Sequence, residues 1–158
     1  MSARRRVAVA VTGASGAIYA VRTIGALLSE GCELEIVFSD YGRRLLLDEL
    51  GPDAKVERLS DLLVERYGEH VRRGSFVLHN NKDLGATLAS GSHRCESMVI
   101  VPCTMKTLAG VAHGLSHNLI ERAADVMLKE KRRLVIVPRE TPLSLPDLRN
   151  MVLCAEAG

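Results

Sequence analysis

Val7-Ala8-Val9-Ala10-Val11-Thr12-Gly13-Ala14-Ser15-Gly16-Ala17, followed by Ile18, Val21, Ile24 and Leu28 as far as Gly31, joins an apolar run, a small-residue loop and an amphipathic stretch. A short apolar run closed by small residues fits a strand, and the spacings of three and four that follow fit one face of a helix. Working outward, Leu34 to Phe38 reads as a second strand ending at Ser39-Asp40, and a helical stretch from Arg43 to Leu50 is broken by Gly51-Pro52. Leu59 to Tyr67 suits a short helix, and Phe76 to Leu78 a short strand at an edge. Met98 to Val101 and Leu134 to Pro138 supply two more strong strands, with helical stretches over Met105 to His113, Ser116 to Lys129 and from Leu145 to Ala155. Strands alternating with helices predict an α/β fold: one doubly wound, Rossmann or flavodoxin-like domain over residues 1–158, its sheet mostly parallel and its crossovers right-handed. The consecutive branched aliphatics of Leu134 to Val137 predict a strand covered on both faces. The last helix, with Gly158 placed to cap it, is followed by no strand, so the pattern reads one βα unit short of the expected return to the sheet.

Composition narrows the class of function. A chain of 158 residues, 47% hydrophobic, is long enough to bury one sizeable core. A formal charge of +2 gives no field that calls for nucleic acid or a membrane surface, and Arg4 to Arg6 read as a solvated leader before the first strand. With three Tyr, two Phe and no Trp, stacking platforms for single-stranded nucleic acid are scarce. No apolar run reaches a membrane span and no signal-peptide core precedes the first strand, so a cytoplasmic location is expected. Cys32, Cys95, Cys103 and Cys154 lack CxxC spacing, which argues for buried or semi-buried thiols rather than zinc ligands or disulfides.

Several constellations could carry chemistry. Gly13 to Ala17, between strand and helix, lets backbone N–H groups receive a phosphate or a flat ring; it is GxSGx and not GxGxxG, which favours a mononucleotide over a dinucleotide. The same loop also serves as a tight turn with no ligand. It lacks the Gly-x-Ser-x-Gly spacing of a hydrolase elbow. Pro102-Cys103-Thr104-Met105-Lys106-Thr107 opens a helix with hydroxyls at i and i+3 and forms either a second anion cradle or a simple N-cap at Thr104. Arg122 and Lys129, seven apart, share a helix face that reads on pattern alone as solvated. Arg139 and Glu140 stand at the carboxyl end of a strand, where α/β sheets keep their active sites, as an anion site beside a general acid or as a surface ion pair. Among the histidines, His113 and His117 have helical metal spacing but no carboxylate to complete a set, and solvated or capping roles are expected for all five.

Together, Thr12-Gly-Ala-Ser-Gly-Ala17, Ala89-Ser-Gly-Ser92, Pro102-Cys-Thr-Met-Lys-Thr107, Asn118-Leu-Ile-Glu-Arg-Ala-Ala-Asp-Val126 and Pro138-Arg-Glu-Thr-Pro-Leu-Ser144 strongly resemble the UbiX-type flavin prenyltransferases, over nearly the whole chain. The resemblance implies a homo-oligomer, dodecameric in the family with sites at subunit interfaces. It implies joining of a dimethylallyl group from dimethylallyl phosphate to reduced FMN, without a metal, to make prenylated FMN for a UbiD-type decarboxylase. In that family prenyl C1 bonds to flavin N5 as phosphate leaves, and a further ring closes through C6.

Carried over by position, Gly13, Ala14 and Ser15 hold FMN with Ser39 and Ser90, while Thr104, Met105, Lys106 and Thr107 cradle its phosphate. Arg139 contacts flavin and substrate phosphate, Glu140 protonates the departing phosphate, Arg122 and Lys129 balance its charge, and Ser15 linked to Glu49 relays the N5 proton. Leu84 stands where some relatives place an aromatic cover, and the family's C-terminal Tyr and basic residue lie past Gly158. A phosphopantothenoylcysteine-decarboxylase-like flavoenzyme is disfavoured because PCTMKT stands where such relatives carry a PxSANT-like motif. A non-catalytic FMN-binding or delivery subunit is the remaining alternative.

Overall fold

A computed structural model describes residues 4–158. Its strands are β1 (Arg6–Val11), β2 (Glu33–Phe38), β3 (Ser75–Asn80), β4 (Ser97–Cys103) and β5 (Arg133–Pro138). They form one sheet in the order β3-β2-β1-β4-β5, each neighbouring pair parallel, with Val9 in register with both Ile36 and Val99. The helices are α1 (Ala17–Ser29), α2 (Asp40–Leu50), α3 (Leu59–Tyr67), α4 (Met105–Ala112), α5 (Leu119–Lys129) and α6 (Leu145–Ala157). The chain builds outward from β1 in one direction and then, after β3, crosses the sheet to build β4 and β5 in the other. The carboxyl ends of β1 and β4 therefore flank a topological switch point, the place where such sheets leave a crevice.

Ala8 to Val11 on β1 are at most 1% exposed because helices lie on both sides of them. On one face Val9 and Ile36 pack with Ile24 and Leu28 of α1 and Leu63 of α3; on the other, Ala8, Ala10 and Ile100 pack with Leu108 of α4 and Ala123 and Met127 of α5. Each fully buried large aliphatic side chain contributes about 1.5–3 kcal/mol. That anchors α1 and α5 firmly, whereas α6 has no fully buried residue and rests against α4.

Two expectations are corrected. The Leu134 strand is not covered on both faces: β5 is an edge strand with Val135 44% and Val137 40% exposed, while Leu134 and Ile136 are partly buried. Arg6 is not leader but the first residue of β1, its guanidinium 2.9 Å from Glu33. Two neighbouring segments match expectation: α3 spans Leu59–Tyr67, and β3 lies at the other edge of the sheet. No helix among the described residues is long and apolar enough to cross a membrane.

Candidate active site

The crevice is closed at its base by Thr12, which is 2% exposed. Its Oγ1 donates to the Pro102 carbonyl (2.8 Å) and accepts from the Thr104 N–H (2.9 Å), while its own N–H donates to Pro102 as well (3.2 Å). One hydroxyl thus ties the loop after β1 to the loop after β4. Gly13 follows on the crevice wall, and a Cβ there would run into the Cβ of Tyr41, so only glycine allows α2 to approach this closely.

Four helices begin around the crevice, and the sequence has already occupied most of their N-termini. At α1, Glu49 reaches across from α2 to accept from Gly16 N–H (3.2 and 3.0 Å) and Ala17 N–H (2.8 Å). Burial works to raise the Glu49 pKa, but the Ala17 N–H, the Ser15 hydroxyl, the Gly16 N–H and the nearby Arg139 guanidinium outweigh it and hold this carboxylate below its usual range. A Rossmann dinucleotide places its pyrophosphate at that helix end; here a carboxylate fills the place, so the glycine loop is left for a ring and not for a phosphate. At α5, Leu119 N–H goes to Asn81 O (2.8 Å), Ile120 N–H to Asn81 Oδ1 (3.1 Å) and Glu121 N–H to Asn118 Oδ1 (3.0 Å). At α2, Ser39 caps Gly42 N–H (3.0 Å), and Asp40 in the first turn repels an anion.

That leaves α4. Thr104 is an N-cap, accepting from Thr107 N–H (3.1 Å) and donating to Thr107 Oγ1 (3.0 Å). The Thr107 hydroxyl hydrogen is then free to donate, as are the N–H groups of Met105 and Lys106, which have no acceptor within the helix. The Lys106 side chain is exposed beside them. A cleft of about 300 Å³ opens here, lined by Thr12, Gly13, Ser39, Asp40, Tyr41, Asn81, Thr104, Lys106, Thr107, Asn118 and Ile120. Hollows of about 460 Å³ and 590 Å³ lie at the opposite end of the sheet, beside Arg5 and Ser97 and beside Lys131 to Arg133, away from these helix ends. Donors in this number beside a cation suit a phosphate monoester, and the small-residue loop beyond suits a flat ring. Among the described residues, no group of three His, Cys, Asp or Glu side chains is arranged to hold a metal ion.

The residues nominated from sequence fall into two places. Gly13, Ser39, Thr104, Lys106 and Thr107 line the crevice, with Met105 in the same first turn of α4; Ala14 and Ser15 continue the loop from Gly13 to the start of α1, where Glu49 is bound, and Arg139 donates its N–H to Cys103 O (3.1 Å) while its charge reaches Glu49. Glu140 follows, exposed, with its carboxylate accepting from Thr141 N–H (3.0 Å). Ser90, Arg122 and Lys129 belong elsewhere: Arg122 donates to Ala89 O (3.2 Å) and pairs with Asp125 (2.9 Å), Ser90 is exposed on the adjoining turn, and Lys129 is exposed at the end of α5. Sequence reasoning missed Thr12, Tyr41, Asn81 and Asn118 as crevice residues. Thr12 and Asn118 lie inside quoted motifs and each follows or begins an element as a short polar side chain, which was the available signal. Tyr41 and Asn81 have no local signature.

The chain matches the Flavoprotein family over residues 1–144. It is 46% identical over 149 residues to a flavin prenyltransferase UbiX of Synechocystis sp., covering 94% of this chain and 72% of that one. A crystal structure of AnUbiX (PadA1) in complex with FMN and dimethylallyl pyrophosphate superposes with a TM-score of 0.86 at 40% identity, covering 99% of this chain and 76% of the other. A dodecameric FMN-dependent UbiX-like decarboxylase from Escherichia coli O157:H7 superposes with a TM-score of 0.81 at 37% identity, covering 97% and 76%.

Proposed function

The chain belongs to the UbiX-type flavin prenyltransferases within the flavoprotein family, and on that premise we propose that it transfers the dimethylallyl group of dimethylallyl phosphate to reduced FMN. The observation that carries this reading is the pattern of helix ends: α1 blocked by Glu49 and α4 open at Thr104 to Thr107 with Lys106 beside it. That pattern selects a mononucleotide with one phosphate and leaves the Gly13 to Ser15 loop and Arg139 for its ring.

In this reading Met105, Lys106 and Thr107 bind the FMN phosphate, Ser39 bonds the flavin, and Gly13, Ala14 and Ser15 lie against the ring. Reduced flavin supplies the nucleophilic N5 and C6. Arg139 stabilises the charge that grows on the phosphate as its bond to prenyl C1 breaks, an effect strongest where water is excluded. Glu140 gives a proton to the departing phosphate and later accepts one. Ser15, with Glu49 as its acceptor, moves the proton at N5. Ser90, Arg122 and Lys129, which lie off this crevice, are assigned to the site of a neighbouring subunit, in keeping with a homo-oligomer like the dodecameric relative. The product is destined for a UbiD-type decarboxylase. The buried, unpaired thiols of Cys32, Cys95 and Cys103 support a reducing, cytoplasmic setting.

The test is anaerobic incubation of the purified chain with reduced FMN and dimethylallyl phosphate, followed by the mass of the flavin. Gain of a five-carbon unit is expected. FMN that binds but keeps its mass makes the chain a carrier, and absence of FMN binding refutes the site. Glu140→Gln is expected to retain FMN and slow transfer about 100-fold or more; unchanged turnover removes Glu140 from the acid role.

A further inference from the structure

Away from the crevice, the structure holds a buried polar cluster that no step above uses. Glu35 on β2 is 8% exposed, and an ionised carboxylate can only accept, so both imidazoles that reach it donate from Nε2. His79 of β3 donates to one oxygen and His93, in the connection between β3 and β4, donates to the other (3.0 Å). Arg6 stands 3.7 Å away, which supplies positive charge already and disfavours a cation as the cluster's ligand. This corrects the expectation of solvated histidines: their side chains are 13% and 19% exposed. Burial acts to raise the Glu35 pKa, but the hydrogen bonds and charges of His79 and His93 outweigh it and hold the carboxyl below its usual range.

The cluster sits under one end of a turn that is tied down at several points. Arg132 forks onto the carbonyls of Gly91 (2.7 Å) and His93 (2.8 Å), Arg122 holds the Ala89 carbonyl, and the Ser90 and Ser92 hydroxyls are hydrogen-bonded to each other (2.8 Å). Ser90 itself remains exposed at the crest. A surface turn with four polar tethers to the rest of the protein, one leading to a buried carboxylate, is far more constrained than a loop joining β3 to β4 requires.

We propose that Glu35 is a positioning residue: through His93, and with Arg132 on the same turn, it holds Ser90-Gly91-Ser92 in the shape that meets flavin bound to a neighbouring subunit. This rests on the assignment of Ser90 to a flavin site. Loss of the buried charged hydrogen bond lets the turn sample other shapes, and FMN must then select the competent one, so affinity falls while the chemical step is unaltered.

His93→Phe keeps the ring volume and removes the donor; His93→Gln restores a donor. Steady-state kinetics with FMN varied, together with hydrogen exchange of residues 87–95, form the test. His93→Phe is expected to raise KM for FMN about tenfold with kcat within about twofold, to speed exchange in the turn, and to be largely rescued by His93→Gln. Ser90→Ala, which removes only the internal bond to Ser92 and none of the bonds from the turn to His93's carboxylate partner, Arg122 or Arg132, is expected to raise KM comparably without freeing the turn. Unchanged KM and exchange in His93→Phe, or an effect that His93→Gln does not rescue, overturns the proposal. A freed turn with normal KM in both His93→Phe and Ser90→Ala overturns the assignment of Ser90 and the kinetic role drawn from it, while product formation by either variant keeps prenyl transfer standing. Should His93→Phe fail to fold, Glu35→Gln, which keeps the size and removes the charge that His93 donates to, is read by KM and by exchange in the turn: both unchanged overturns the proposal.

Discussion

Replacing Glu49 by Gln removes the charge that sits on the N-terminus of α1 and leaves an acceptor of the same size in place. Three contributions are at stake: the attraction of the carboxylate to the helix end, the charge-assisted part of its bonds to Gly16 and Ala17, and its attraction to Arg139. Glu49 is exposed, so the Arg139 contribution is screened and adds little. An exposed anion at a helix N-terminus is worth about 0.3–1 kcal/mol, which for a chain of this size lowers Tm by about 1–4 °C. The pH dependence follows from the direction of the pKa shift. The folded pKa lies below the unfolded value of 4.5, so the charge stabilises the fold fully above that value and the stabilisation is lost as pH falls through the folded pKa. The Tm gap between wild type and Glu49→Gln, measured by calorimetry, is therefore expected to be constant between about pH 6 and 8 and to close as the pH is taken below 4.5 and through the folded pKa. Equal Tm at neutral pH, or a gap that survives undiminished in acid, refutes the account of α1. The same variant is expected to bind FMN near normally and to slow prenyl transfer about 100-fold, because Ser15 loses its proton acceptor.

Thr12→Val, close to isosteric, removes a buried hydroxyl and leaves the part-buried Thr104 N–H without its acceptor, and is expected to cost about 1–3 kcal/mol in urea denaturation, with FMN binding weakened because the β1 and β4 loops separate. Lys106→Gln and Thr107→Val are each expected to weaken FMN about tenfold and to leave riboflavin, which lacks the phosphate, unaffected in a fluorescence titration. Gly13→Ala is expected to destabilise the fold by about 1–3 kcal/mol, and Tyr41→Gly, which removes the obstructing Cβ, to recover part of it where Tyr41→Ala does not.

Which residues form strands and helices was legible because it depends on near neighbours. The Val7 to Leu28 stretch shows its periods directly, and β1 and α1 follow it within a residue or so. The glycine loop, the Thr104 and Thr107 hydroxyls and Arg139 stood out as candidates because they stand where a strand gives way to a helix or a loop. Local sequence does not carry the position of a strand within the sheet. The aliphatics of β5 look the same in a central strand and at an edge, and only the order β3-β2-β1-β4-β5 leaves Val135 and Val137 exposed.

The sequence alone therefore determined the α/β class, the order of its elements and the motifs that carry the family resemblance, since each is written in short-range spacing and residue type. Tertiary structure decided which helix end is free for an anion, because Glu49 lies 32 residues from Ala17 and Asn81 39 from Ile120, and folding alone brings each carboxylate or amide to its N–H. It also decided that Glu35, 44 residues from His79 and 58 from His93, is one cluster and not three surface groups. A parallel register that sets β3 beside β2, and a connection that crosses the sheet over them, bring together polar groups that are too costly to bury singly.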